Sequence, residues 1–232
     1  MVEANQAQRQ ALRQSLISLV VTLVIMAALL FVPAGTPDWP LGLWFMAAFL
    51  VAIGLSILVL WRANPDIFVA RSRVQAGTKA WDYVFLVLII GGLAALLPVA
   101  GLDYRFGWAQ APGWLVVVGY VLFVLSFAGQ VWPQATNRHF EPGIRIQTDR
   151  DHHVIDTGPY AYVRHPGYIS GALLGVSVAL ALGSLAALIP AAVVIVALAI
   201  RTLAEERTLR AELPGYADYM QRVRFRWIPG VW

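Results

Sequence analysis

The sequence contains no cysteine and carries unusually little charge. Without cysteine there can be no disulfide, no zinc site with thiolate ligands and no cysteine nucleophile, although the redox compartment stays open. Only 13% of the 232 residues are Asp, Glu, Lys or Arg, and 59% are hydrophobic. Soluble domains carry about twice that share of charge. The composition therefore excludes an ordinary soluble domain and indicates a membrane protein.

Apolar segments long enough to cross a hydrocarbon core recur along the chain. Backbone groups in lipid must bond within their own segment, which favours helices, and the lack of strict polar alternation argues against a barrel. The fold class we predict is an all-α integral membrane protein with about six transmembrane helices, the last two forming a tight helical hairpin. The six segments contain no Asp, Glu, Lys or Arg and cover residues 15–32, 41–61, 83–100, 113–131, 168–182 and 185–200.

The basic residues between these segments lie almost entirely on one side of the predicted membrane. Cytoplasmic loops are enriched in Lys and Arg, so both termini should be cytoplasmic. On the opposite side, the only charged residue of the first loop is Asp38, and the second loop contains only Asp103 and Arg105 as charged residues. The side predicted to be cytoplasmic includes Arg9 and Arg13 in the N-terminal tail, four basic residues in each of two loops, and six arginines after residue 200.

Only Gly183 and Ser184 separate the last two apolar segments. Such a short turn makes the two helices antiparallel, and small residues such as Gly171 and Gly175 allow close packing. The start of the fifth segment and the end of the sixth must therefore meet at one membrane surface. A polar site bounded by apolar helices is a functional-site candidate. It brings together Arg164, His165, Tyr168, Arg201, Glu205 and Glu206.

Each part of this cluster also allows a simpler interpretation. Arg201 and Glu205 are four residues apart, so they could form a surface ion pair on a solvated helix end. Arg164 and His165 precede Pro166, which suits the first helical turn; they could serve an anion site there or contact lipid phosphates. His152 and His153 could bind a metal, but a surface pair without an acidic partner at ligand spacing is the commoner case.

Three stretches near the C-terminus resemble the isoprenylcysteine carboxyl methyltransferase family, which is related to the membrane phospholipid N-methyltransferases. They read GPYAYVRHPGY from residue 158, EERTL from residue 205 and LPGYADYMQRVRFRWIPGVW from residue 213. The resemblance covers roughly residues 130–232. It implies four N-terminal transmembrane helices over residues 1–133 and a methyltransferase core over residues 134–232, with a cytosolic loop and a C-terminal helix around a cofactor pocket.

The resemblance also implies S-adenosylmethionine as methyl donor and a lipophilic or prenylated acceptor bound from the bilayer. Arg201, together with Arg164, would bind the acceptor, and Arg201 would be the catalytic residue. No metal is implied. The residues implied to contact the donor are Gln147, His152, His153, Val154, Ile155, Tyr160, His165, Pro166, Gly167, Tyr168, Glu205 and Glu206.

Residue chemistry is compatible with that implication but leaves alternatives open. A carboxylate such as Glu205 suits the donor's hydroxyl or amino groups, aromatic faces suit a sulfonium cation, and Arg201 could hold a carboxylate bidentately. Methylation of a carboxylate needs no general base, because the nucleophile is already ionised at neutral pH. The alternatives are a phospholipid amine methyltransferase, an NADPH-dependent membrane reductase, and a non-enzymatic transporter or scaffold. The sequence does not identify the acceptor.

Overall fold

The fold is that of the computed structural model, which describes the backbone of residues 2–232 and the side chains of residues 13, 14 and 17–232. About 70% of the chain is helical, and residues 2–232 contain no β-strand. Arg9, which the topology prediction uses, lies outside the described side chains. The predicted all-α fold class is confirmed.

Eight α-helices follow one another within residues 2–232, and five of them are long and apolar enough to cross a membrane. The sixth apolar segment forms a shorter helix. Two short 3-10 helices, Thr148–Arg150 and Gly158–Ala161, lie in the long loop before it. The helices are α1 Val2–Ala34, α2 Pro40–Ala63, α3 Ile67–Ala70, α4 Asp82–Phe106, α5 Gly113–Thr136, α6 Pro166–Ala181, α7 Leu188–Glu212 and α8 Tyr216–Arg222.

The helices extend beyond the apolar segments that predict them. Asp103 and Arg105, which the sequence places in a loop, lie in the last turns of α4. Asp103 tolerates that position because it is buried and accepts hydrogen bonds from the Ala109 amide and the Ser184 hydroxyl. The apolar segments therefore mark the middle of each helix rather than its ends.

Helix α6 is short because it lies inside the bundle. Its 16 residues span ~24 Å at 1.5 Å per residue, less than a hydrocarbon core of ~30 Å. Its closest neighbour is α5. A Cβ added at Gly119 would come 2.4 Å from the Ala181 nitrogen, and one at Gly129 would come 2.4 Å from the Ser170 hydroxyl oxygen. Small residues thus allow α5 and α6 to pack closely.

The connection between α6 and α7 is longer than predicted. It runs from Leu182 to Ala187 rather than over two residues, because α6 ends at Ala181 and α7 begins only at Leu188. Gly183 has a φ of +74°, and the Ser184 hydroxyl accepts a bond of 3.1 Å from the Ala187 amide. The antiparallel hairpin itself is present. We call the end of the bundle with this connection the far end, and the end where α6 begins the site end.

Candidate functional site

A polar cavity of about 130 Å³ lies at the site end of the bundle. Its walls come from the loop between α5 and α6, the start of α6, the end of α7 and helix α8. All but one of the residues singled out from the sequence line it. They are Gln147, His152, His153, Val154, Ile155, Tyr160, Arg164, His165, Pro166, Gly167, Tyr168, Arg201 and Glu205.

Glu206 is the exception, because it lies behind the cavity wall. One of its oxygens accepts bonds from Arg164 Nε at 2.6 Å and lies 3.2 Å from His165 Nε2. The other accepts a bond of 2.8 Å from Arg226 Nε. The side chain is almost completely buried. Glu206 therefore holds the walls of the cavity together, and a ligand in the cavity would meet Glu205 instead.

Arg164 connects the start of α6 to the C-terminal segment. Besides Glu206, its guanidinium donates from Nη1 to the carbonyl oxygens of Val223 and Arg224, each at 2.7 Å. The backbone adds two bonds, from the Arg164 and His165 amides to the carbonyls of Phe225 and Arg226. The basic C-terminal segment is thereby fixed against the first turn of α6.

Glu205 and Tyr168 form the polar wall on the side of α6 and α7. The Tyr168 hydroxyl donates to Glu205 Oε2 at 2.5 Å. The Tyr168 ring stacks on His165, with 5.4 Å between ring centroids and 14° between planes. The Glu205 side chain keeps 21% of its surface exposed. Its other oxygen therefore has capacity for a ligand's hydroxyl or amino group.

The surface ion pair of Arg201 with Glu205, which is the simpler interpretation of the sequence, does not form among the described side chains. Arg201 Nε and Nη2 instead donate to the two oxygens of Asp82, at 2.7 and 2.9 Å. Nη2 also donates to the Pro142 carbonyl at 2.6 Å. Asp82 begins α4, has no exposed surface, and accepts a further bond from the Ile144 amide at 2.8 Å. A planar carboxylate matched to the guanidinium fork explains why Arg201 favours it.

The loop on the opposite wall is organised around Gln147. Its side-chain amide donates to the His139 carbonyl at 2.7 Å, and its oxygen lies 3.4 Å from His139 Nδ1. Nε2 of His139 is buried without a partner among the described residues. The rings of His152 and His153 lie 4.7 and 5.0 Å from the His139 ring. Among side chains that are described, no three are placed to hold a metal.

His139 and His152 are neutral at physiological pH. Burial, and then repulsion of the protonated ring by neighbouring ionisable groups, lowers the pKa of His152 to about 4. Burial also lowers the pKa of His139, against the opposing effect of its bond to Gln147. A neutral imidazole can donate at one nitrogen and accept at the other. His139 and His152 therefore present polar groups without charge, while the opposite wall presents the carboxylate of Glu205.

Several lining residues have no place in the set predicted from the sequence. Tyr216 and Tyr219 of α8 close the cavity, and Tyr219 donates to the Tyr160 carbonyl at 2.8 Å. Burial raises the pKa of both tyrosines, so their hydroxyls stay protonated. The GYADY stretch that contains them is a signal that could have identified them. Asp82 gave no such signal, because it stands alone at the edge of an apolar segment.

Residues 113–211 match the isoprenylcysteine carboxyl methyltransferase (ICMT) family. The resemblance predicted from the sequence is therefore confirmed over helices α5, α6 and nearly all of α7, with the loop that lines the cavity. The match supports a membrane methyltransferase. It includes neither Asp82 nor the C-terminal segment from residue 213. No curated protein matches the chain.

Proposed function

We propose that the protein transfers a methyl group from S-adenosylmethionine to the carboxylate of a lipophilic, isoprenylcysteine-like acceptor. The observation that carries the proposal is the cavity itself. Within the part of the chain that matches the family, it joins the RHPGY stretch, Glu205 and the loop of residues 147–155. It lies at the end of apolar helices, where a ligand from water and one from the bilayer can meet.

The lining residues fit the proposed donor. Glu205 offers a partly exposed carboxylate for hydroxyl or amino groups. Tyr168 offers an aromatic ring suited to a cation, and already has the guanidinium of Arg201 5.3 Å from its centroid. His139 Nε2 is an unpartnered buried nitrogen beside the cavity lining. A buried polar group of this kind gains from a ligand that bonds to it.

The chain's own contribution to catalysis would be alignment. S-adenosylmethionine, when bound, supplies a methyl group attached to a sulfonium sulfur. The bond between that methyl carbon and the carboxylate oxygen would form as the carbon–sulfur bond breaks. An ionised carboxylate needs no base, and the lowered pKa values of His139 and His152 keep these two side chains neutral at physiological pH. The cavity walls would hold donor and acceptor in contact and exclude water, which is the main route to acceleration in such a reaction.

Arg201 and Arg164 would contribute to acceptor binding mainly by shaping the cavity rather than by direct bonds to the acceptor. The two-nitrogen fork of Arg201 is occupied by Asp82, which leaves Nη1 as its remaining nitrogen for an acceptor. Arg164 is likewise occupied by Glu206 and two carbonyl groups. We therefore propose that they shape the acceptor's side of the cavity. Asp82 adds an N-terminal contribution to the methyltransferase core of residues 134–232.

We also propose that the cavity and both chain termini face the cytoplasm. The one-sided distribution of arginine supports this orientation. A C-terminal fusion to a reporter active only outside the cytoplasm should therefore stay silent. A strong signal from that reporter would contradict the orientation without touching the proposed chemistry.

The proposal is tested with purified protein in lipid nanodiscs. Labelled S-adenosylmethionine should bind, and N-acetyl-farnesylcysteine should acquire the label in an alkali-labile ester. Glu205→Gln should weaken donor binding by about tenfold, because charge-assisted hydrogen bonds are lost. Glu212→Gln is the matched control, since Glu212 is on the same helix but pairs with Lys79 outside the cavity. It should leave donor binding unchanged.

Three results would contradict the proposal in different ways. Binding of NADPH instead of S-adenosylmethionine would point to a reductase. An alkali-stable label on an aminophospholipid would point to amine methylation. Equal donor affinity in Glu205→Gln and Glu212→Gln would remove Glu205 from the donor site.

A further inference from the structure

Five arginines at or beside the cavity share one property: each is paired with a carboxylate. Arg201 pairs with Asp82, and the others pair with Glu206 or Glu141. Each of these guanidiniums therefore already has a carboxylate partner inside the protein, although Glu141 and Glu206 each serve two arginines. The residues concerned are Arg145, Arg150, Arg164, Arg201 and Arg226.

Arg71 is different from these arginines. It follows α3, and its guanidinium carbon lies 5.2 Å from the centre of the Phe140 ring, which lines the cavity. Among the described side chains no carboxylate lies within ion-pair distance of it. The protein atoms around its guanidinium, and then the charge of Arg201, lower the pKa of Arg71 to about 10. It therefore remains a cation at neutral pH, close to the site.

Arg71 also stands at the polar end of a groove between α1, α2 and α3. The groove holds about 350 Å³, and Ser72 and Gln134 accompany Arg71 at its polar end. Along α2 its lining runs from Leu60 to Phe49, a distance of ~17 Å. That is close to half of a ~30 Å hydrocarbon core. The groove thus has the length of a lipid tail and a cation at its end.

Phe140, which lines the cavity, lies beside the polar end of this groove. Phe140 contacts Arg71 on one side. On the other it packs against the first turn of α6, where a Cβ added at Gly167 would come 2.8 Å from its ring. Gln134, which lines the groove, precedes Asn137, which lines the cavity, and Asn64 donates to the carbonyl of Gln134 at 2.7 Å.

We propose that the groove between α1, α2 and α3 binds the hydrocarbon tail of the anionic methyl acceptor, and that Arg71 binds its carboxylate. This rests on the proposed function. The charge of Arg71, which has no carboxylate partner among the described side chains, favours an acid over an amine or a neutral lipid. The side chains of α2 and α3 that line the groove are mainly apolar and suit a long hydrocarbon chain, although α1 adds Gln14, Ser18 and Thr22. The head group would pass Phe140 to reach the cavity.

The test measures binding and transfer separately, in nanodiscs without anionic lipid. Arg71→Gln should raise the Kd of N-acetyl-farnesylcysteine, measured without donor, and its KM by about tenfold, because a charged bond is lost. Binding of the corresponding methyl ester and of S-adenosylmethionine should not change. Arg71→Lys should give Kd and KM values between those of the wild-type protein and Arg71→Gln. Arg73→Gln is the matched control, because Arg73 lies in the same exposed loop but lines neither space.

A second pair of variants tests the groove. Ile53→Trp fills it and should weaken binding of both the acid and its ester. Leu58→Trp adds the same bulk to an exposed position of α2 outside the groove, and should do neither. Equal KM values in Arg71→Gln and Arg73→Gln would overturn the proposal, as would equal losses for acid and ester in Arg71→Gln. Loss of co-purified anionic phospholipid without a change in acceptor binding would show that Arg71 serves the bilayer instead.

The outcomes separate this proposal from the proposed function. If the acid binds in an Arg71-dependent manner but the wild-type protein transfers no methyl group to it, the result supports the acceptor groove and contradicts the proposed methyltransferase activity. If methyl transfer proceeds and Arg71→Gln has the same KM as Arg73→Gln, the result supports the proposed activity and contradicts the acceptor groove.

Discussion

Helix α4 buries a carboxylate at each of its two ends, and the two carboxylates have different kinds of partner. At the site end, Asp82 faces the guanidinium of Arg201, with oxygen–nitrogen distances of 2.7 and 2.9 Å. At the far end, Asp103 accepts from the Ser184 hydroxyl at 2.5 Å and the Ala109 amide at 2.7 Å. Neither aspartate has any exposed surface. A buried carboxylate needs such partners, and only one end supplies a charged one.

The difference shows how each end is held. At the far end, backbone bonds join the two connecting loops, from Ala111 to Gly183 and from Leu185 to Ala109, each at 2.8 Å. Asp103 adds to an assembly that the main chain already maintains. At the site end, side-chain ion pairs join distant segments around a cavity. The site end therefore depends more on individual charged residues, and substitutions there should have larger effects.

The largest expected effect comes from Asp82. Asp82→Asn leaves Arg201 buried beside a neutral partner, and breaking a buried pair in this way costs about 3–5 kcal/mol. Thermal unfolding in nanodiscs should show the loss. The double variant Asp82→Asn with Arg201→Gln should lose much less than the sum of the single changes, because it removes the uncompensated charge. Additive losses would show that the two residues act independently.

A smaller effect is expected from Asp103 at the far end. Asp103→Asn keeps an acceptor for the Ser184 hydroxyl or the Ala109 amide, so the loss should be about 1–2 kcal/mol. Donor binding should be unchanged, since Asp103 does not line the cavity. A loss as large as that of Asp82→Asn would break the distinction between the two ends.

Neither aspartate could be assigned a partner from the sequence, although much else could. The apolar segments predicted the helices, and the hairpin predicted that Arg164 and Arg201 meet, because both follow from chain order. The partner of Arg201 is 119 positions away, whereas the sequence suggested its helical neighbour Glu205. The spacing of residues in the sequence relates side chains one helical turn apart, but it does not show which helices become neighbours. The same limit hid the lining residue His139.

The histidine loop predicts a pH effect confined to the site end. The pKa of His152, about 4, lies below the usual value of ~6.5. Above pH ~6.5 both states are neutral, so the stability is complete; between pH ~6.5 and 4 the unfolded chain alone binds the proton. Stability should fall over that window, by ~1 kcal/mol after allowance for partial exposure. His152→Gln should flatten the dependence. An unchanged slope would assign it to other groups.

The smallest effect is expected from an ion pair at the surface of the site end. Lys79 lies 2.7 Å from Glu212, with 32% and 45% of their side chains exposed. Such pairs contribute ~0.2–1 kcal/mol, because water and salt screen them. Lys79→Gln should therefore cost less than 1 kcal/mol, and the difference should vanish at ~1 M salt, where the screening length is ~3 Å. The Asp82–Arg201 pair, shielded from solvent, should keep most of its effect at the same salt concentration. If both effects vanish together, burial is not what distinguishes the two pairs, and the site end is held by charges that remain open to water.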